Sequence, residues 1–313
     1  MADLISVIVP VKDEAGTLAE LYQRLLAALT ETGRPFETIF VDDGSADESF
    51  SVMKKLFEQD SRVRVVKLLR NFGKSAALAA GLDRAQGEVV ITLDGDLQDD
   101  PKEIPKFLAK LEQGYHLVSG WKKLRRDPLS RRLLSRFFNW VTARLSGVEI
   151  HDFNCGFKAY RREALARLQL YGELHRYIPA LLGAQGFRVA EIEVEHHPRR
   201  AGRSKYGLGR IPRGLLDLLT VLFLTQYARR PLHLFGGAGL LSFLAGAAAL
   251  CYLTVLWFLG QRPIGTRPLF LGGIMLLLLG AQILSLGLLA ELVTHLAHRD
   301  EAPYLVQVEL ERS

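Results

Sequence analysis

Apolar runs and helically spaced stretches alternate through the first 120 residues. Residues 4–9 form an apolar run that stops at Pro10, and 18–29 repeat apolar positions at helical spacing. Residues 38–41 are a second short run, followed by a helix over 47–60 with Asp47 as its N-cap. Residues 63–68 read as a third strand, 74–85 as an alanine-rich helix and 89–93 as a fourth strand. A helix over 105–112 and a short fifth strand at 117–119 complete the series. Such alternation predicts an α/β fold, a parallel sheet with helices on both faces. Ligands bind such sheets outside the carboxyl ends of the strands. The polar loops fall there: Asp13 and Glu14 after the first strand, Asp42 and Asp43 after the second, Asn71 and Gly73 after the third, Asp94 and Asp96 after the fourth.

After Gly120 the pattern changes. Residues 131–145 predict a helix carrying Phe137, Phe138 and Trp140, 152–160 are irregular and polar-aromatic, and 188–195 alternate as a half-exposed strand. Residues 199–209 are basic and loop-like, and 211–227 are amphipathic, suited to lying along a membrane surface. Residues 232–259 and 269–290 contain no Asp, Glu, Lys or Arg, and each exceeds the ~20 apolar residues that cross a bilayer. The short connection between them predicts a transmembrane hairpin. The expected organisation is a cytosolic α/β domain over 1–210, an interfacial helix over 211–230, two spans within 231–295 and a tail over 296–313. In that tail, residues 304–310 alternate and could add a strand.

Charge sharpens this picture. The net charge is +6, yet residues 122–136 carry seven bases against one acid and 199–230 carry eight against one, which leaves the remainder negative. Segregated positive charge calls for an anionic partner. Nucleic acid is disfavoured, because the second cluster runs directly into membrane-like sequence. Basic residues crowd the amino-terminal side of the hairpin, which places both chain ends in the cytoplasm. The amino terminus has no basic lead and too short an apolar run for a signal peptide. Cys155 and Cys251 predict neither a disulfide nor a zinc set.

The chemistry centres on Asp94-Gly95-Asp96, at the mouth of a buried strand. Carboxylates this close raise one another's pKa or recruit a counter-ion, and oxygen ligands suit a hard divalent cation. Asp96 is the expected ligand, with Gln98 as a further oxygen, and Asp94 faces a ribose or the metal. The competing reading is an Asx turn at a strand-to-helix junction. Asp42 is the better of its pair for accepting from a base or ribose. Asn71-Phe72-Gly73-Lys74 opens a helix whose free N–H groups favour anions.

The ordered set V-P-V-K-D-E, V-D-D-G-S, L-R-N-F-G-K, D-G-D-L-Q, N-C-G-F-K and S-K-Y-G, followed by two spans, resembles the polyprenyl-phosphate glycosyltransferases of glycosyltransferase family two. The resemblance implies a GT-A fold, Mg2+ or Mn2+, and inverting transfer of a sugar from a nucleotide diphosphate sugar to a membrane polyprenyl phosphate. It implies donor binding by Pro10, Asp13, Glu14, Asp42, Asn71, Gly73, Lys74 and Asp94, and metal binding by Asp94, Asp96 and Gln98. Catalytic roles fall to Asp94, Asp96 and Asp152, the last in the position proposed for a base. The acceptor phosphate falls to Lys122, Arg126, Arg131, Ser135, Arg203 and Lys205. Residues 173–177 resemble an acceptor-side motif, and His151, His196 and His197 are expected to be bystanders. Two departures are Lys12-Asp13-Glu14, where the family shows Tyr-Asn-Glu, and Lys122, where it shows Arg; lysine keeps the charge but loses the bidentate fork. Glucose from UDP-glucose is the first expectation for the donor, with GDP-mannose as in dolichol-phosphate mannose synthases as the alternative. A non-catalytic membrane adaptor is the alternative of another class. The two spans invite homo-oligomers, and a bacterial inner membrane is the expected location.

Overall fold

Strand β1 (Ile5–Val11) runs through the middle of a sheet whose strands are joined by helices packed on both faces. The computed structural model describes residues 4–123, 139–144, 146–166, 168, 170, 172–197, 220, 223, 227, 230–261 and 263–297. Along β1 successive side chains point to opposite faces. Ile5, Val7, Val9 and Val11 join one core, with helices α1 (Leu18–Glu31), α2 (Ser49–Gln59) and α4 (Ile104–Glu112). Ile8 joins the other, with α3 (Lys74–Leu82) and the short α6 (Ile178–Ala184). Helix α1 buries Leu18, Leu21, Tyr22, Leu25 and Leu29, one stripe at helical spacing. The N-cap reading of Asp47 needs correction. Helix α2 begins at Ser49, and Asp47 accepts the Ser49 N–H at 3.0 Å and the Ala15 N–H at 3.1 Å, so its carboxylate ties two loops together.

The remaining strands are β2 (Phe36–Asp42), β3 (Val63–Lys67), β4 (Val89–Thr92), β5 (Leu117–Trp121), β6 (Lys158–Arg161) and β7 (Val189–Glu193). Their order is β3-β2-β1-β4-β6-β5-β7. The first four pair in parallel, as expected. The sheet as a whole is mixed, because β6 enters antiparallel between β4 and β5. The K-A-Y-R of β6 lies within the stretch read as irregular. It is too short and too polar at its ends to show a period, yet Lys158, Ala159 and Tyr160 are buried by their neighbours on both sides. Helix α5 (Arg162–Leu165) follows it directly. The arrival of β6 from the opposite direction brings the residues before it, 152–157, to the same edge as the carboxyl ends of β1 to β5.

The chain divides into two compact units, residues 1–225 and 226–313. The second contains α7 (Pro231–Phe258) and α8 (Pro268–Ala297), packed together as an antiparallel pair. Both are long and apolar enough to cross a membrane, and most of each apolar window is exposed, unlike a core helix of a soluble protein. Glycines seven residues apart on each helix, Gly239 and Gly246 on α7 and Gly273 and Gly280 on α8, make the contact: a Cβ on Gly246 would lie 2.6 Å from the Leu277 nitrogen, and one on Gly280 2.4 Å from the Phe243 nitrogen. Glu291 of α8 accepts the Leu232 N–H at the start of α7 at 3.2 Å, a free donor that this helix end otherwise exposes. Residues 131–138, most of the amphipathic stretch 211–227 and the strand expected at 304–310 lie outside the described residues.

Candidate active site

The strand order reverses between β1 and β4, the place where open α/β sheets form a ligand-binding crevice. The β1–β4 ladder ends at Ile8 and Thr92, with one further bond from the Leu93 N–H to the Ile8 carbonyl at 3.1 Å. Pro10 shares the parity of Ile8, so its missing N–H falls on the β4 side, beyond the last rung. Proline is tolerated inside this central strand because the neighbouring strand has already turned away.

On the β1–β2 side the loops are knitted together. The Asp13 N–H donates to Ser45 Oγ at 3.0 Å, its carboxylate accepts the Ala46 N–H at 2.7 Å, and Lys12 lies 3.6 Å from the same carboxylate. The Glu14 N–H donates to Ser49 Oγ at 2.8 Å. The two aspartates after β2 divide their work. Asp43 receives the Phe72 and Gly73 N–H groups at 2.7 and 3.0 Å and so fixes the Asn71–Gly73 turn. Buried Asp42 accepts the Ser45 N–H at 2.8 Å through Oδ1, while its Oδ2 has no hydrogen-bond partner among the described residues. That spare acceptor favours Asp42 as the ligand-facing member. Gly44 has φ +67°, and a Cβ there would stand 2.6 Å from Arg70 backbone, so glycine lets the two loops touch.

The Asp94–Asp96 loop is held from both sides. Thr17 Oγ1 donates to the Gly95 carbonyl at 2.7 Å, and Thr92 Oγ1 donates to the Gly156 carbonyl at 2.9 Å. Leu97 adopts φ +58°, a conformation that disfavours a branched side chain, and such strain concentrates at functional sites. Lys74 Nζ lies 2.5 Å from Asp94 Oδ1. A Cβ on Gly156 would stand 2.5 Å from Asp94 Oδ2, so this glycine lets the loop before β6 close over the carboxylate. Burial favours the neutral acid at Asp94, but Lys74 and Lys122 outweigh it and hold the carboxyl at about 2. Asp96 goes the other way: burial, then the Asp94 charge, push it up to about 6. Its Oδ1 accepts the Gln98 N–H at 3.2 Å, so the Asx turn is present alongside the charge crowding. The crowding is what a divalent cation relieves, and the donors are all oxygens. The residues therefore fit Mg2+ or Mn2+.

Across the crevice, Lys122 turns inward and pairs with buried Asp99 at 2.7 Å. Burial opposes its charge, yet Asp99 and Asp94 keep the ammonium protonated well above the usual lysine range. Where acceptor binding would use it free, the structure commits its charge to this carboxylate cluster. Asp152 is buried, accepts the Asn154 N–H at 3.1 Å and has its own carbonyl 3.4 Å from Ser119 Oγ. Lys158 is fully enclosed and donates to the Cys155 carbonyl, and burial pushes its pKa down. His151, expected to be a bystander, is tied down beside Asp152. Its ring stacks on Trp121 with centroids 4.3 Å apart, its Nδ1 meets Glu191, and its backbone N–H donates to the same carboxylate at 2.7 Å. His196 bridges to Asp99, and His197 pairs with Asp100 at 3.2 Å, with Glu195 close by in a ligand-like grouping. Arg126, Arg131, Ser135, Arg203 and Lys205 lie outside the described residues. Sequence reasoning missed Gly156 and Lys158 as parts of this site. The motif N-C-G-F-K was the available signal, but only the antiparallel entry of β6 brings them to Asp94.

A family model described as glycosyl transferase family 2 matches residues 6–169. A dodecaprenyl-phosphate galacturonate synthase from Rhizobium johnstonii is 39% identical over 95% of this chain and 90% of its own. Undecaprenyl-phosphate 4-deoxy-4-formamido-L-arabinose transferases from Shewanella sediminis and Pseudomonas aeruginosa are 36% and 38% identical, over 93% and 92% of this chain and 87% and 84% of theirs. Among solved structures, glucosyl-3-phosphoglycerate synthase from Mycobacterium tuberculosis, in complex with Mn2+, UDP-glucose and phosphoglyceric acid, superposes with a TM-score of 0.52. It is 20% identical, over 71% of this chain and 79% of that one. That likeness shows the GT-A fold.

Proposed function

The chain belongs to glycosyl transferase family 2, and from that premise we propose that it moves a sugar from a nucleoside diphosphate sugar to a polyprenyl phosphate, with inversion at the anomeric carbon. The glycosyltransferase class follows from the family, and the lipid acceptor from relatives named for polyprenyl-phosphate products. The observation that carries the reading is the closure of Gly156 and Lys74 onto Asp94, next to an Asp96 that burial and the Asp94 charge push up to about 6.

In this reading Asp42, with Asp13, Glu14 and Pro10 beside it, lines the nucleoside side of the crevice. Asn71, Gly73 and Lys74 serve the donor at the start of α3. Asp94, Asp96 and Gln98 would hold Mg2+ or Mn2+, which supplies positive charge for the departing diphosphate. Asp152 orients the reactants more than it removes a proton. The second pKa of a phosphate ester is ~6, so the acceptor oxygen is already a nucleophile at neutral pH. Arg126, Arg131, Ser135, Arg203 and Lys205, in the basic stretches that follow Lys122 and over 199–230, hold the lipid phosphate at the membrane surface. Helices α7 and α8 anchor the chain with their connecting loop on the far side and both ends in the cytoplasm. The donor is a UDP-linked pyranose: UDP-glucose is the expectation from sequence, and the 39%-identical relative, named for galacturonate, adds that sugar as its chief competitor.

The test is a panel of radiolabelled UDP-glucose, UDP-galacturonate and GDP-mannose with undecaprenyl phosphate and Mg2+. One donor should label the lipid, and Asp96→Ala should lower that rate at least ~100-fold, as expected when charge stabilisation of the transition state is lost. No lipid labelling with any donor defeats the proposal.

A further inference from the structure

His175 stands in a 3₁₀ turn (Leu174–Arg176), one hundred residues from its partner Ser75, which is buried near the start of α3. Two contacts converge on one hydroxyl. The His175 backbone N–H donates to Ser75 Oγ at 3.3 Å, and His175 Nδ1 lies 2.9 Å from the same oxygen. A hydroxyl has one hydrogen to give. Among the described residues Nδ1 is the only acceptor for it. Ser75 therefore donates to Nδ1, and the ring proton sits on Nε2.

The ring is also neutral. Burial acts first against the imidazolium, and the charges of Lys74, Arg176 and Lys158 add to it, so the pKa falls to about 2; Asp94 opposes them weakly. Those neighbours are the groups of the crevice. Lys74 is paired with Asp94, Lys158 donates to the Cys155 carbonyl beneath the Asp94–Gly156 contact, and Arg176 is paired with Glu173 at 2.6 Å. The ring is half-buried, and its Nε2 has no hydrogen-bond partner among the described residues.

We propose that His175 is a donor-binding residue, presenting the Nε2–H of a tautomer-locked, neutral imidazole to an oxygen of the nucleotide sugar beside Asp94. The inference rests on the nucleotide-sugar reading of the crevice. The ligand atom is an acceptor-only oxygen, of a phosphate or of the sugar. A neutral donor suits a place where Lys74 and Lys158 already supply the positive charge, and the bond it makes keeps its proton through the whole neutral pH range. Ser75 is a positioning residue, since it acts only by fixing the tautomer.

The experiment uses the full chain in detergent micelles with the active donor from the panel and undecaprenyl phosphate, and reads the KM of each substrate separately. His175→Ala should raise the donor KM about ten-fold and leave the lipid KM unchanged. His175→Gln, whose amide N–H reaches the Nε2 position, should recover most of the loss, and Ser75→Ala should raise the donor KM about three-fold. Long-range 1H–15N spectra of the 15N-histidine protein, with the His175 signal assigned from its loss in His175→Gln, should show Nδ1 unprotonated and Nε2 protonated from pH 5.5 to 8. The spectra stand whether or not the alanine variant folds. An imidazolium or an Nδ1–H tautomer within that range overturns the proposal. So does a donor KM unmoved in His175→Ala, or a rise confined to the lipid KM, which would assign the contact to the acceptor phosphate. Absence of transfer by the unmodified chain is a different result, which removes the functional reading itself.

Discussion

Asp94 and Asp96 are two residues apart, yet their surroundings drive them in opposite directions. Lys74 pairs with Asp94 and holds its carboxyl at about 2, whereas burial and the Asp94 charge raise Asp96 to about 6. The consequence for pH has a definite sign. A carboxyl raised in the folded state contributes stability below its ordinary value of 3.8, and loses it as pH rises through about 6. A cation bound there offsets that loss, because its ligands must be ionised. Mn2+ should raise the melting temperature at pH 7.5 and have little effect at pH 5. An equal increment at both values would remove Asp96 from the ligand set. Gly156 offers a second test. Its Cβ space is occupied by the Asp94 carboxylate and not by backbone, so Gly156→Ala should fold with a melting temperature within a few degrees of the parent. Its turnover should fall at least ~10-fold as the carboxylate is displaced, an effect expected of ångström-scale misplacement. A fully active Gly156→Ala would show that the contact is packing alone.

Among the elements, the α7–α8 pair shows how little the hydrophobic pattern says about packing. Both helices are apolar around their whole circumference, so no stripe marks the contact face. Small residues mark it instead, as in membrane helices where close backbone approach drives association. Gly246 and Gly280 leave no room for a side chain, whereas nothing lies within 4 Å of a Cβ at Gly237 or Gly272. Gly280→Leu should therefore lower thermal stability in detergent by several degrees, an overpacking cost of roughly 1–3 kcal/mol. Gly272→Leu should be neutral. Equal effects at the two sites would count against this interface. In the catalytic unit, the elements legible from sequence were those with a clear period: β1 to β4, α1 and α4 lie within two residues of expectation or less. The loops they deliver to one edge were legible for the same reason. Strand β6 and helix α6 were missed, because four and seven residues are too short to show a period and their burial comes from neighbours distant in sequence.

For the whole molecule, the functional reading requires a chain with one surface for a soluble donor and a foothold where a lipid acceptor resides. The two exposed apolar helices provide the foothold by length and composition. The topology proposed for them predicts that Gln261→Cys, in the loop between the spans, reacts with a membrane-impermeant thiol reagent in intact cells. Buried Cys155 should stay unlabelled. Labelling of position 261 only after lysis would invert the hairpin. Sequence alone determined the alternation of strands and helices, the convergence of polar loops on one edge, the two long apolar helices and the family, because each is written in local periodicity or in short ordered motifs. Tertiary structure decided the rest: the entry of β6 against the direction of its neighbours, Lys122 bound to Asp99, His151 clamped beside Asp152, Gly156 closed over Asp94 and His175 locked by Ser75. These depend on contacts between residues far apart in the chain, where ion pairing, close backbone approach and the single hydrogen of a hydroxyl choose the partner. No local pattern carries that choice.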